Sequence, residues 1–182
     1  MTTTVAAAAR FQSGPPTPLS ADRMVQQLRA ARISHVIIVP DTYQESFIAA
    51  LEAAPDLQTV YACTEDEAIA INAGLYATGH RPILTIQNNG LYACLNTIRG
   101  IALDGGVPTV MFIGQYGYKP ASNIEDSPLR MVRMLEPTLE TWGVHSFRLW
   151  HDDDLHKIPA LYEEAMSLRV PYALIVPIPT TA

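Results

Sequence analysis

Short apolar runs alternate along this chain with segments in which apolar positions recur every three or four residues. The runs are "HVIIVP" from His35, "TVYAC" from Thr59, "PILTIQN" from Pro82, "TVMFIG" from Thr109, "HSFRLW" from His145 and "YALIVP" from Tyr172. Runs of this length, apolar on both faces, predict strands buried in a parallel sheet. Between them lie stripes at Met24, Leu28 and Ala31, at Phe47, Ile48 and Leu51, and at Leu91, Cys94, Leu95 and Ile98. Two more follow, at Met131, Leu135 and Leu139 and at Leu155, Ile158, Leu161 and Ala165. Such stripes predict helices. The alternation predicts an α/β fold, a three-layer sandwich with a central parallel sheet of about six strands.

Length and composition narrow the picture. A chain of 182 residues builds one domain with a sizeable core. Residues 1–19, biased to Ala, Thr and Pro, bury too little to offset the entropy of ordering and are expected to form a flexible tail before a single domain at 20–182. The net charge of −6, with no Lys/Arg cluster, argues against nucleic acid as a partner. No segment approaches the ~20 apolar residues of a membrane span, and the tail lacks the pattern of a secretory signal. Cys63 and Cys94 lie in apolar contexts without metal-ligand spacing and read as reduced, buried small hydrophobes, which fits a cytoplasmic protein.

Parallel sheets bind ligands beyond the carboxyl ends of their strands. The turns there read "PDTYQES", "TEDEA", "QNNGLY", "GQYGYKP" and "IPTTA". None carries a GxGxxG, a phosphate-binding GxxxxGK[ST] or a GxSxG nucleophile turn. In "TEDEA", Thr64 with Glu67 three residues on forms a capping box, and Asp66 complements the helix dipole from the solvent side. Glu65, the first helical residue after a strand, projects toward the crevice. "HDDDLH" reads as a helix cap with an acidic first turn rather than a metal site. His35 and His145 head strands, and His80 lies in a turn at the opposite end of the sheet from the crevice.

From "VPDTYQESFIAAL" through "TEDEAIAINAGLYATGHRPILTIQNNGLYACLNTI" to "VPTVMFIGQYGYKP" and "EPTLETWGV", the chain resembles the pyrimidine-binding domain of thiamine-diphosphate enzymes. Within that superfamily it is most similar to the separate alpha subunits of sulfopyruvate decarboxylase and the matching half of phosphonopyruvate decarboxylase. The most specific part is a Glu opening an alanine-rich helix, with Gly nine residues on, here Glu65 and Gly74.

The resemblance implies thiamine diphosphate and Mg2+ as cofactors and a small 2-oxoacid as substrate. It implies Glu65 as the catalytic acid bonded to the aminopyrimidine, which it helps shift to the imino tautomer. It places Gln87, Asn88, Asn89 and Gly90 beside the cofactor, and Asp41, Asn88, Tyr116 and Lys119 as substrate contacts, with no metal ligand on this chain. An Asn cap opening the next helix is an equal reading of Asn88 or Asn89. The family's Arg-Gly-Glu-type stretch is replaced by "GQYGYKP", which removes the usual guanidinium partner of a sulfonate or phosphonate. Lys119 could substitute as a point charge, and Tyr116 and Tyr118 suit a less anionic 2-oxoacid. Tyr92 stands where the family often has a small residue.

A Gly-Asp-Gly followed by an Asn pair, which holds the diphosphate and its Mg2+ in the family, is missing here. "LDGGVP" at Leu103 to Pro108 reads as a helix end leading into a strand. The resemblance therefore implies a diphosphate-binding beta subunit as partner, in a hetero-oligomer such as α2β2 or larger. Two alternatives stand beside the decarboxylase subunit: a carboligase subunit of the same family, and a non-catalytic α/β scaffold or regulatory module.

Overall fold

The computed structural model describes residues 14–121 and 123–182. In chain order it contains α1 (Ala21–Ala30), β1 (His35–Ile38), a 3-10 turn (Thr42–Gln44), α2 (Glu45–Glu52), β2 (Gln58–Tyr61), α3 (Glu65–Ala77) and β3 (Pro82–Gln87). There follow α4 (Asn88–Ala93), α5 (Leu95–Thr97), a π-helical stretch (Ile98–Asp104), β4 (Thr109–Gly114), α6 (Arg130–Arg133) and α7 (Leu135–Trp142). The chain closes with β5 (His145–Arg148), a second 3-10 turn (Asp152–Lys157), α8 (Ile158–Leu168) and β6 (Pro171–Val176).

All six strands pair in parallel, in the order β2-β1-β3-β4-β6-β5. One apolar layer joins α1, α2 and α8 to the sheet through Leu28, Phe47, Phe112 and Tyr162, the two Phe rings meeting edge to face at 5.3 Å. The other joins α3, α4 and α7 through Ile69, Leu91, Met111 and Leu139. The sandwich expected from the apolar pattern is thus present, with every expected strand in place. Chain direction across the sheet reverses between β1 and β3, so a crevice is expected beyond their carboxyl ends.

Four local expectations are corrected. β4 and β6 are buried throughout and β3 as far as Ile86, but β2 and β5 form the edges, and Tyr61 at the end of β2 is 50% exposed. The strand leading to Glu65 is therefore not a buried one. The single helix expected through Leu91 to Ile98 is divided among α4, α5 and the π-helical stretch, although Leu91, Cys94 and Ile98 all face the core. Cys94 is buried, whereas Cys63 is exposed in the turn after β2. Of the expected tail, residues 1–13 lie outside the described residues, and the remainder packs on the domain. Leu19 is fully buried, the Thr17 amide donates to the Trp150 carbonyl at 3.0 Å, and the Trp150 indole donates to the Gly14 carbonyl at 2.8 Å.

"HDDDLH" is a cap. Asp154 accepts from the Trp150 and His151 amides, each at 3.0 Å, and from Lys157 Nζ at 2.6 Å. Asp152 accepts from the Ser20 amide at 2.8 Å and pairs with Arg23. "LDGG" likewise ends the π-helical stretch, with the Gly105 amide bonded to the Gly100 carbonyl at 3.1 Å. His35 and His80 meet with ring centroids 4.5 Å apart at the amino end of the sheet, away from the crevice. No helix among the described residues is long and apolar enough to cross a membrane.

Candidate functional site

The turn after β1 supplies the floor of the crevice. Asp41 is 4% exposed and caps the first 3-10 turn, its Oδ1 accepting from the Tyr43 amide at 3.1 Å. The same oxygen accepts from Gln87 Nε2 at 3.0 Å, across from β1 to β3. Oδ2 accepts from Gln44 Nε2 at 3.1 Å and lies over the backbone of Gly114, where any side chain would overlap it. Gln44 Nε2 also donates to the Ile86 carbonyl at 2.9 Å, which fixes which end of that amide faces Asp41. The line continues outward, because Gln87 Oε1 accepts from Asn89 Nδ2 at 2.8 Å. Asn89 itself is exposed.

Glu65 enters from the neighbouring turn. Thr64 is the N-cap of α3, its hydroxyl accepting from the Glu67 amide at 3.2 Å. Glu67 returns the bond to the Cys63 amide at 2.6 Å, one residue earlier than an ordinary capping box would place it. Asp66 is exposed and accepts from the Thr97 hydroxyl at 2.5 Å. With its two acidic neighbours so employed, Glu65 is left half-buried, its carboxylate laid on the backbone of Gly90 at the start of α4. A methyl group on Gly90 would overlap Oε1, Cδ and Cγ of Glu65. No hydrogen-bond donor among the described residues reaches this carboxylate. Cys94 is the C-cap of the helix that carries Gly90, and burial, assisted by the carboxylates of Asp66 and Glu65, pushes its thiol up to about 12.

Asn88 is placed differently from its neighbours. It is fully buried, and its Nδ2 donates to the Tyr116 carbonyl at 3.1 Å and the Met131 carbonyl at 3.2 Å. Tyr92 Oη donates to the same Met131 carbonyl at 3.0 Å, and Gln115 Nε2 to that of Val132 at 3.2 Å. These three side chains tie α6 to the crevice wall. Tyr43 pins the intervening turn, its hydroxyl donating to the Tyr118 carbonyl and accepting from the Gly117 amide, both at 3.2 Å. Burial pushes the Tyr43 phenol up, against the opposing pull of the Gly117 amide. Tyr116 stacks edge-on with Tyr43 at 5.5 Å and remains 43% exposed. Lys119 is exposed in the same turn, whereas Tyr118 is buried beside Trp150.

The fold thus joins Asp41, Gln87 and Asn89 in one line of bonds, and Glu65 and Gly90 in one contact. Asn88 is drawn instead to Tyr116 through that residue's backbone. Tyr43, Gln44, Gly114 and Gln115 complete the site and are absent from the residues expected of it. A signal existed for Gln44 alone, a polar residue one turn ahead of Phe47, Ile48 and Leu51 on a stripe that should be apolar.

The family of the N-terminal TPP binding domain of thiamine pyrophosphate enzymes matches residues 20–135. The chain belongs to this family. It is 22% identical over 131 residues to the sulfopyruvate decarboxylase subunit alpha of Methanocaldococcus jannaschii, covering 72% of this chain and 76% of that one. Its fold also matches, with a TM-score of 0.63 and 19% identity, a Mycobacterium smegmatis protein described as a candidate thiamin diphosphate-dependent enzyme. That match covers 88% of this chain but 31% of the other, so this chain spans about a third of its length.

The residues present suit the pyrimidine end of such a cofactor. An acid without a donor among the described residues stands over a glycine that admits close approach, and the linked amides of Gln87 and Asn89 lie at the end of the strand leading to that glycine.

Proposed function

We propose that this chain is the pyrimidine-binding alpha subunit of a two-component thiamine-diphosphate-dependent decarboxylase acting on a small 2-oxoacid. The observation that carries the reading is Glu65: a half-buried carboxyl group at a strand's carboxyl end, seated on Gly90, with no hydrogen-bond donor on it among the described residues. When bound, thiamine diphosphate supplies the electron sink that cleavage of a carboxylate next to a carbonyl requires. The protein supplies orientation and one proton position. Glu65 would hold a proton between its carboxyl oxygen and the pyrimidine ring nitrogen, seated against the backbone of Gly90. Asn89, at the exposed end of the amide line, orients the 2-oxoacid, and Tyr116 bounds its side chain.

The diphosphate and Mg2+ fall to a beta subunit, because a hard divalent cation takes oxygen ligands of the Gly-Asp-Gly and Asn type that this sequence lacks. The name of the Methanocaldococcus relative, a subunit alpha, agrees with such a division. Sulfopyruvate is the first substrate to try, beside less anionic 2-oxoacids, since Lys119 is the one cation in "GQYGYKP".

The test is reconstitution. The isolated chain should release no CO2 from any 2-oxoacid, and turnover should appear with a diphosphate-binding subunit, thiamine diphosphate and Mg2+. Glu65→Ala should then lower kcat by on the order of a hundredfold with the fold intact. Full activity of the isolated chain, or of the Glu65→Ala assembly, would refute the reading.

A further inference from the structure

Asp41 has the look of a substrate ligand in the sequence, an acid in a turn at the carboxyl end of β1. Its surroundings give it other work. At 4% exposure, and with Gly114 beneath it, the carboxylate faces three N–H donors: the Tyr43 amide, Gln44 Nε2 and Gln87 Nε2. Two of these are fixed as donors independently of Asp41, one by being a backbone amide and the other by its second bond, to the Ile86 carbonyl. A carboxylate only accepts, so Gln87 must turn its NH2 inward and its oxygen outward. That oxygen then requires the NH2 of Asn89, at 2.8 Å. What reaches the crevice is one remaining N–H and the carbonyl oxygen of an Asn89 that no longer rotates freely.

We propose that Asp41 is a positioning residue: it meets no substrate, but through Gln87 it fixes the side-chain amide of Asn89, the group that meets the 2-oxoacid. Asn89 is suited to this because it is exposed and adjoins Gly90, on which Glu65 rests, whereas Asn88 spends its NH2 on two carbonyls. The orientation is set before any ligand arrives. A preset amide loses less freedom on binding than a mobile one. The substrate part of the proposal rests on the function proposed above, while the line of bonds does not.

The experiment uses the full chain in two settings. In 1H–15N spectra of the protein alone, the Asn89 side-chain NH2 should give a pair of signals away from free-amide positions. Gln87→Leu, which spares Asp41 its bonds to Tyr43 and Gln44, should move that pair to free-amide positions, and Asp41→Ala should do the same. In the reconstituted enzyme, Asn89→Ala and Gln87→Leu should each raise KM for the 2-oxoacid by about tenfold, with kcat changed by less than about twofold. The double variant should do no more than either single change, because the two residues act as one unit. An Asn89 signal that ignores Gln87→Leu, or KM effects that multiply in the double variant, overturns the proposal. Should the wild-type assembly show no turnover, the proposed function fails, and the spectra alone then decide for or against Asp41.

Discussion

Gly90 is where a single residue most directly controls the site. Its missing side chain is the space that the Glu65 carboxylate fills, so Gly90→Ala should evict the acid without removing it. Because Glu65 is half exposed, it can swing outward at little expense to the fold. We expect Gly90→Ala to lower kcat of the reconstituted enzyme by at least about tenfold, with the thermal midpoint nearly unchanged, and to add nothing once Glu65→Ala is present. Kinetics and a melting curve on the three variants check this. The place of Glu65, first in a helix after a strand, was legible in the sequence, and with Gly nine residues on it carries the family likeness from which its proposed role is drawn. Its seat was not, because the contact from Glu65 to Gly90 joins two turns that only the tertiary fold brings together. For the same reason Gly114 beneath Asp41 could not be read from its own neighbourhood.

At the scale of an element, α3 has a carefully supported start and a plain middle. Thr64 and Glu67 each satisfy a backbone amide at its first turn. Thr64→Ala should destabilise the protein by about 1 kcal/mol, as loss of an N-cap usually does. Gly74 is the opposite case. Nothing lies within 4 Å of where its Cβ would be and its φ is not positive, so Gly74→Ala should stabilise the isolated chain by about 0.5–1 kcal/mol through helix propensity alone. Urea titration of both variants gives the two signs. Element types followed from periodicity throughout, but the breaks did not. The stripe through Leu91, Cys94 and Ile98 keeps its inward face across the junctions of α4, α5 and the π-helical stretch, so the apolar pattern that reveals a helix conceals its interruptions.

Across the whole molecule, the two thiols report on different layers. Cys63, exposed after β2, should react with a thiol reagent in the native state, and Cys94 only after unfolding, so a titration should count one group and then two. The position of Cys94 also carries a pH signature. Burial raises its pKa to about 12, so the folded chain keeps a proton that the unfolded chain gives up. The associated stability is complete below the unfolded thiol's pKa of about 8.5 and drains away as pH climbs from there toward about 12. Cys94→Ala should flatten the fall in unfolding free energy between pH 8 and 10, leaving the share due to the tyrosines, Tyr162 and Tyr172 foremost, which burial likewise pushes up. The six-strand architecture was legible because its strands are separated by helices of clear period. Which strands would be edges was not, since "TVYAC" and "HSFRLW" are nearly as apolar as the central runs.

The strand order β2-β1-β3-β4-β6-β5 has a consequence for how the protein is made. β6 is the last of these six strands to be made, yet it lies between β4 and β5, and β5 pairs with no other of the six. During synthesis β5 therefore emerges with nothing to bond to, and the four strands from β2 to β4 wait with an open flank of backbone donors and acceptors at β4. Thr181 then completes the closure, accepting from the Ala21 amide at 2.8 Å and donating to the Leu19 carbonyl at 3.0 Å. The sheet is thus sealed only when residues 171–182 have been made, so the half-made sheet, with β4 bare, is the form most in need of a chaperone's cover.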